Sequence, residues 1–180
     1  MKNILITGRP GVGKTTLVRN VAGQIPGAGG FYTEEVREGG GRVGFDIVTL
    51  AGQRDVLSSI HRRLGPRVGK YVVSIDGIDG VAVQSVERAI AQGRLVVIDE
   101  IGKMELYSDR FKEVTLRALD SDVPVLAAIM SRSEPFCDAV KSRADVKMVE
   151  VTLENRGVLA DELLSALRSL LSNRQQLKRE

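Results

Sequence analysis

The sequence has little of several residue types that mark other classes of protein. It contains one cysteine, one histidine and no tryptophan, and aromatic residues make up 4% of its 180 positions. A lone cysteine, Cys137, cannot form an internal disulfide, and the sequence shows neither a zinc-ligand spacing nor a serine-hydrolase elbow. These absences exclude a disulfide-stapled domain and a cysteine-rich metal module.

Long apolar runs and a strong charge excess are also missing. No run approaches the roughly 18 apolar residues that a membrane helix needs, and no charged-then-apolar leader precedes the first apolar segment. Lysine and arginine total 26 against 23 acidic residues, so the net charge is only +3. This balance describes a mildly basic surface rather than a nucleic-acid footprint. We therefore expect a cytoplasmic protein without a membrane partner, and we do not favour nucleic acid as a partner.

The most informative stretch is at the N-terminus, where a short apolar run at residues 3–7 leads into a phosphate-binding motif. Residues 8–15 fit G-x-x-x-x-G-K-[ST] at every fixed position, and a helical apolar pattern follows over 16–25. Glycines let the loop turn its backbone N–H groups toward phosphates. Lys14 is expected to lie between the β- and γ-phosphates, and the Thr15 hydroxyl to bind a bridging Mg²⁺. The predicted nucleotide-binding residues here are Gly8, Arg9, Pro10, Gly11, Val12, Gly13, Lys14, Thr15 and Thr16.

A second motif lies far along the chain, where an apolar strand over 94–98 leads directly into Asp99 and Glu100. This is the form of a Walker B site. We expect Asp99 to hold Mg²⁺ opposite Thr15, and Glu100 to orient or deprotonate the attacking water. Residues 99–102 also match the D-x-x-G of GTPase switches, but no N-K-x-D guanine signature follows. A broad nucleotide preference is therefore expected.

A third candidate residue follows the continuous apolar strand predicted over 124–130. Ser131 and Arg132 come at the end of that strand. In a parallel sheet the carboxyl ends of the strands face the ligand, so Arg132 could stabilise the charge that develops on the γ-phosphate. We retain Arg132 as a catalytic candidate beside Lys14, Asp99 and Glu100.

The remaining apolar patterns predict an α/β fold. Strand patterns at 29–37 and 42–50 flank a glycine-rich turn, which predicts a β-hairpin, and residues 53–57 suggest an edge strand before a basic loop at 61–67. Length and composition indicate one domain over residues 1–172, followed by a polar tail at 173–180. Further strands are predicted over 70–75 and 146–151, and helices over 80–92, 110–119, 133–142 and from 157 onward.

Several of these stretches together resemble the THEP1 family of P-loop nucleoside-triphosphatases. The resemblance covers most of the chain, in particular residues 8–15, 30–37, 44–45, 99–106 and 152–156. It implies a three-layer P-loop NTPase with a RecA-like, mostly parallel sheet and hydrolysis of ATP, GTP and other nucleoside triphosphates to the diphosphate and phosphate. It also implies a second nucleotide-binding stretch made of Ile98, Asp99, Glu100, Ile101, Gly102, Lys103, Met104 and Glu105.

Two other classes of function stay open at this point. A nucleotide or small-molecule kinase would use the same loop but needs an arginine-rich lid, which Arg37, Arg42, Arg62 and Arg63 could supply. A nucleotide-gated RNA- or protein-binding module could use the basic loop at 61–67 as its surface. The sequence does not determine the oligomeric state.

Overall fold

Nine strands form one sheet in the computed structural model, which describes residues 1–177. The order across the sheet is β5-β6-β4-β3-β2-β7-β8-β1-β9. The strands are β1 (Asn3–Thr7), β2 (Gly29–Glu38), β3 (Gly41–Thr49), β4 (Arg54–Ser59), β5 (Arg67–Val68), β6 (Tyr71–Val73), β7 (Val96–Ile101), β8 (Val125–Ile129) and β9 (Val146–Glu150).

Five of these strands, in the order β2-β7-β8-β1-β9, are parallel to one another. β8 separates the strand that leads into the phosphate loop from the strand that carries Asp99 and Glu100. It pairs with β1 at Ile4 and Leu126, and with β7 at Ile98 and Ala127. All five residues of β8 are buried, which accounts for its continuous apolar sequence. This arrangement confirms the predicted RecA-like α/β fold.

The antiparallel part of the sheet is larger than the single hairpin we expected. β2 and β3 do form that hairpin, and β4, β6 and β5 then extend the sheet further. The expectation that residues 53–57 form an edge strand is wrong, because β6 pairs with β4 on its outer side. The basic segment also ends earlier than expected, since Arg67 already belongs to β5.

Six α-helices connect these strands in the described part of the chain. The segment from α2 to α3 is continuously helical through a π-helical turn at Ile78–Val83. This helical segment begins at Ile75, before the predicted start at residue 80, because the Ser74 hydroxyl caps it by accepting a hydrogen bond from the Gly77 N–H. Ser108 caps α4 in the same way, through the N–H of Phe111. The helices are α1 (Lys14–Gly23), α2 (Ile75–Gly77), α3 (Gln84–Ala91), α4 (Asp109–Asp120), α5 (Pro135–Lys141) and α6 (Arg156–Leu177).

The helices cover both faces of the sheet, which gives the three layers. α1 and α6 pack on one face, where Val18, Val21 and Leu167 are fully buried. The helical segment from α2 to α3, together with α4 and α5, packs on the other face around Phe31 and Phe111, whose rings meet edge to face at 6.1 Å. The sheet is thus fixed between two apolar layers, and its carboxyl edge remains open beside the phosphate loop.

The C-terminal helix α6 continues through Leu177, so residues 173–177 of the expected polar tail are helical. Residues 178–180 of that tail lie outside the described residues, and the single-domain boundary at 172 stays a prediction. Across residues 1–177 we find no helix with the length and apolarity required to span a bilayer.

Candidate active site

The phosphate loop turns directly from the end of β1 into α1. Gly8, with φ of 153°, follows the strand, and a Cβ at this position would lie 2.6 Å from the carbonyl oxygen of Val151. Only glycine permits that approach between the loop and the segment after β9. The Val12 side chain is buried among the apolar residues of α1 and α6, which fixes this part of the loop to the core, whereas Arg9 is exposed.

Lys14 occupies the centre of the loop. It is buried, its Nζ donates a hydrogen bond to the carbonyl oxygen of Gly8 at 3.1 Å, and it lies 3.9 Å from Oε2 of Glu100. The ammonium group is therefore held over the loop by a backbone oxygen and a carboxylate. A phosphate that entered the loop would meet this charge together with the free N–H groups at the start of α1.

Asp99 lies beside Thr15, although 84 positions separate the two residues. The Thr15 hydroxyl donates to Oδ1 of Asp99 at 3.1 Å, and the backbone N–H of Thr33 donates to Oδ2 at 3.3 Å. The carboxyl group of Asp99 is fully buried. Burial raises its pKa, while the hydrogen bonds from Thr15 and Thr33 and the charge of Lys14 act in the opposite direction. The structure thus brings the two sequence motifs together around a buried carboxylate.

Glu100 points the other way, into the cleft that faces Lys14. About a third of its side chain is exposed, and its pKa is raised by burial and by Asp99 against the opposing effect of Lys14. We expected β7 to end at Ile98, but it continues to Ile101, and its pairing with β8 is interrupted between Ile98 and Ile101. The interruption lies at the acidic pair, which presents one carboxylate to Thr15 and the other to the cleft.

Most of the other residues in the predicted nucleotide-binding stretch 98–105 pack in the core next to the site and do not line the cleft. Ile98 and Ile101 are fully buried in the core and Met104 packs against it, while Lys103 is exposed. Glu105 is 5% exposed, and burial raises the pKa of its carboxyl group to about 8. Among residues 98–105, all described by the structure, Glu100 is the one that lines the cleft.

The cleft itself has a volume of about 700 Å³ and extends from the phosphate loop to the β2–β3 hairpin. Its loop side includes Pro10, Gly11, Gly13, Lys14, Thr15 and Thr16. Sequence reasoning did not assign Arg19 of α1 to the site, nor the opposite wall on the β2–β3 hairpin, where Arg42 had been considered only for a kinase lid. That wall consists of Thr33, Glu34, Glu35, Arg42 and Phe45. Glu35 pairs directly with Phe45, so both side chains project from one face of the hairpin, but no local motif marks that face as part of the site.

Arg42 is held firmly on that opposite wall. Its Nε donates to the hydroxyl of Tyr71 at 2.8 Å, one terminal nitrogen lies 2.8 Å from Oε1 of Glu35, and its guanidinium lies 4.9 Å from the ring centroid of Phe45. Arg37 is paired with the same Glu35. Two of the four arginines that we considered for a kinase lid are therefore bound to their own hairpin.

Arg132 follows β8 on the exposed surface and is not among the residues that line the cleft in the described chain. Its backbone carbonyl oxygen accepts a hydrogen bond from Nζ of Lys141 at 3.3 Å. His61 also lies outside the cleft lining and pairs with Glu38 at 3.1 Å. A catalytic role for Arg132 stays a prediction.

Comparisons with known proteins agree with this geometry. A family model described as NTPase matches residues 3–164. The nucleoside-triphosphatase THEP1 of Thermotoga maritima is 47% identical over 165 residues, which cover 92% of this chain and 95% of that protein. The human cancer-related nucleoside-triphosphatase is 36% identical over an alignment of 185 positions, which covers 93% of this chain and 97% of the human protein.

Solved structures give the same result. The crystal structure of THEP1 from Aquifex aeolicus superposes with a TM-score of 0.85 at 36% identity, over 92% of this chain and 98% of that one. The solution structure of the human nucleoside triphosphatase superposes with a TM-score of 0.80 at 37% identity, over 94% of this chain and 98% of that one. The resemblance noted in the sequence is thereby confirmed, and the chain belongs to the THEP1 family of P-loop nucleoside-triphosphatases.

Proposed function

We infer that the protein hydrolyses nucleoside triphosphates, ATP and GTP among them, to the diphosphate and phosphate with Mg²⁺. The observation that supports this most directly is the convergence of Lys14, Thr15, Asp99 and Glu100 at the phosphate loop. The loop and Lys14 bind the polyphosphate, and Glu100 faces the position of the terminal phosphate. The family to which the chain belongs has the same activity in its name.

The residues around Asp99 fit a magnesium ion. Asp99 and Thr15 offer two oxygens 3.1 Å apart, and oxygen is the ligand type that Mg²⁺ prefers. The carboxylate of Asp99 is buried and accepts hydrogen bonds from the Thr15 hydroxyl and the Thr33 N–H, and a cation would offset more of the cost of its burial. When bound, Mg²⁺ would neutralise charge on the β- and γ-phosphate oxygens. Among residues 1–177 no group of three or more acidic, histidine or cysteine side chains could hold a metal, so the phosphates would supply further ligands.

Glu100 is the residue that we assign to the attacking water. Its partial burial raises the pKa of its carboxyl group, which makes it a better proton acceptor near neutral pH than an exposed glutamate. The Lys14 ammonium at 3.9 Å holds this carboxylate in place before nucleotide enters. With phosphate bound, Lys14 turns to the phosphate oxygens and Glu100 is free to accept the proton of water.

The cell compartment and base preference complete the proposal. Proteins of oxidising compartments are commonly stabilised by disulfides, whereas Cys137 is a free, buried thiol, so we propose that the protein is cytoplasmic. Hydrolysis of all four common nucleoside triphosphates is expected because the chain has no N-K-x-D motif. We propose water as the phosphate acceptor, rather than a second substrate, because Arg42 and Arg37 are engaged by Glu35.

The test is steady-state phosphate release with ATP, GTP, CTP and UTP, with and without Mg²⁺. Lys14→Ala and Glu100→Gln should each lower kcat by about 100-fold or more, since both act on the transferred phosphate or its attacking water. Glu100→Gln should still bind nucleotide, whereas Lys14→Ala should bind it weakly.

The matched controls are Lys112→Ala and Glu113→Gln on α4, which should behave as the wild type. Phosphate release that persists in Glu100→Gln would remove Glu100 from its role. Nucleoside-triphosphate turnover that requires an added phosphate acceptor would indicate a kinase and contradict the proposed hydrolase activity.

A further inference from the structure

The 151–156 segment, which joins β9 to α6 and includes Arg156 as the first residue of α6, lies directly against the phosphate loop. The N–H of Val151 donates to the carbonyl of Thr7 at 2.8 Å, and its own carbonyl oxygen blocks any side chain at Gly8. A terminal nitrogen of Arg156 lies 3.4 Å from the carbonyl oxygen of Val12. The 151–156 segment therefore contacts the loop at its beginning and near its end.

This segment lies on the side of β1 opposite the catalytic carboxylates. β9 flanks β1 on one side, whereas β8 and then β7, with Glu100, lie on the other. If Glu100 faces the terminal phosphate, which rests on the function proposed above, the other end of the nucleotide, its ribose and base, lies nearer to β9. We propose that the 151–156 segment and Val158 form the platform on which the nucleobase packs.

The segment is rigid enough to serve as a platform. The Asn155 side chain accepts from the N–H of Thr152 at 2.8 Å and donates to the carbonyl of Glu150 at 2.8 Å, and the N–H of Asn155 donates to the Thr152 hydroxyl at 3.3 Å. These three bonds fix the backbone of the segment before α6 begins. The side chain of Leu153 is therefore presented by an ordered loop.

The surface that the platform offers is apolar and cationic. Leu153 is 67% exposed and Val158 is 61% exposed, so two large aliphatic side chains face solvent close in sequence to Arg156, which contacts the phosphate loop. The planar guanidinium of Arg156 can stack on an aromatic base. A base that leaves the loop on this side would cover both kinds of surface.

The same contacts explain why no particular base would be selected. The amide of Asn155 and the hydroxyl of Thr152, which could read the polar edge of a base, are used inside the segment. Contacts with the flat face of a base are available to every base, because every base has a π face. The platform therefore accepts both purines and pyrimidines, and it binds purines more tightly because their rings are larger.

Binding of reaction products tests the platform without any dependence on hydrolysis. The dissociation constants of ADP, GDP, CDP and UDP with Mg²⁺ are compared with that of Mg²⁺-pyrophosphate, which lacks ribose and base, by titration calorimetry. Leu153→Ser and Arg156→Gln should weaken binding of the four nucleotides by about 5- to 50-fold, purines most, since loss of one stacking contact has this effect. Pyrophosphate should bind the variants as it binds the wild type.

Two controls match the chemistry of the substitutions. Leu64→Ser changes an 83% exposed leucine in the loop before β5, and Arg168→Gln changes an arginine of α6 that also donates to a backbone carbonyl, that of Gln24. Both should leave nucleotide binding unchanged.

Three outcomes would overturn the platform. They are unchanged nucleotide binding in Leu153→Ser, an equal loss for nucleotides and pyrophosphate, which would indicate a distorted loop, and an equal loss in the controls. If wild-type protein binds nucleotides through the platform but releases no phosphate, the hydrolase proposal fails and the platform stands.

Discussion

Glu105 gives the sharpest stability prediction because its carboxyl group is buried and forms no ion pair with any lysine or arginine within residues 1–177. The side chain is 5% exposed, and its pKa is raised from 4.5 to about 8, mainly by burial and further by the charges of Glu100 and Asp99. Backbone N–H groups of Gly102 and Glu105 itself donate to it and offset only part of that cost. A glutamine can accept the same hydrogen bonds without a charge, so the perturbation is Glu105→Gln.

The expected sign and size follow from proton binding. Between pH 4.5 and pH 8 the folded protein keeps a proton on Glu105 that the unfolded chain has lost, so the wild type loses stability as pH rises through this range. Each pH unit corresponds to about 1.4 kcal/mol, and the whole range to at most about 5 kcal/mol. Near pH 5 the neutral glutamic acid and glutamine should give similar stability. By pH 9 the variant should be more stable than the wild type by about 3 kcal/mol or more.

Thermal unfolding of both proteins from pH 5 to pH 9 in EDTA measures this difference. For a chain of this length about 3 kcal/mol corresponds to a rise of roughly 6–12 °C in Tm. EDTA removes divalent cations that would offset the charges of Asp99 and Glu100. Glu113→Gln on the exposed face of α4 is the control and should show no pH-dependent gain. A difference between Glu105→Gln and wild type that stays constant with pH, or falls, would refute the reasoning.

Three further predictions concern other parts of the molecule. Gly30→Ala should lower the free energy of unfolding by about 3 kcal/mol or more in urea titrations, because φ is +112° and a Cβ would lie 2.0 Å from the carbonyl oxygen of Val97. The control is Gly52→Ala, where a Cβ would have no atom within 4 Å. An equal loss of stability in the control would contradict the steric argument. Cys137 is fully buried, and the pKa of its thiol is raised to about 12. Mass spectrometry should therefore find no iodoacetamide adduct in the folded protein at pH 8 and complete reaction after unfolding. Labelling of the folded protein would contradict this prediction. Arg132→Ala should lower kcat by about 100-fold or more without a change in Tm if this exposed arginine contacts the transferred phosphate, and an unchanged kcat would remove it from the site.

The parts of the fold that were predictable from sequence are those whose patterns are local. The phosphate loop is a contiguous motif with a strand before it and a helix after it, and the buried strand β8 is a continuous apolar run. The hairpin was recognisable because its two strands flank a glycine turn. Each of these signals depends on residues close together in the sequence.

The features that were missed depend on contacts between distant segments. Residues 53–57 looked like an edge strand because β6, which covers it, is only three residues long. The early start of the helical segment at Ile75 was hidden by glycines, although Gly77 is needed there because a Cβ would lie 2.2 Å from the carbonyl oxygen of Val56. Such close packing leaves no periodic pattern in the sequence.

The candidate site shows the same division. The motifs that hold Thr15 and Asp99 could be paired from sequence because a metal-bound phosphate needs both. The hydrogen bond from the Thr33 N–H to Asp99 could not be predicted from sequence, because any residue can supply a backbone donor. The cleft wall that contains Arg42 could not be predicted either, because it arises from the antiparallel extension of the sheet. Burial of Glu105 was likewise invisible, since glutamate is a surface residue in most sequences.

The two outer strands of the sheet affect how the protein behaves at high concentration. A free strand edge can recruit a strand from another molecule and so begin an aggregate. At one end the outermost strand, β5, has only two residues, and at the other end β9 places the exposed, charged side chains of Lys147 and Glu150 along its length. Neither border offers a long, flat, apolar strand edge, so we expect neither to pair readily with a strand of another molecule.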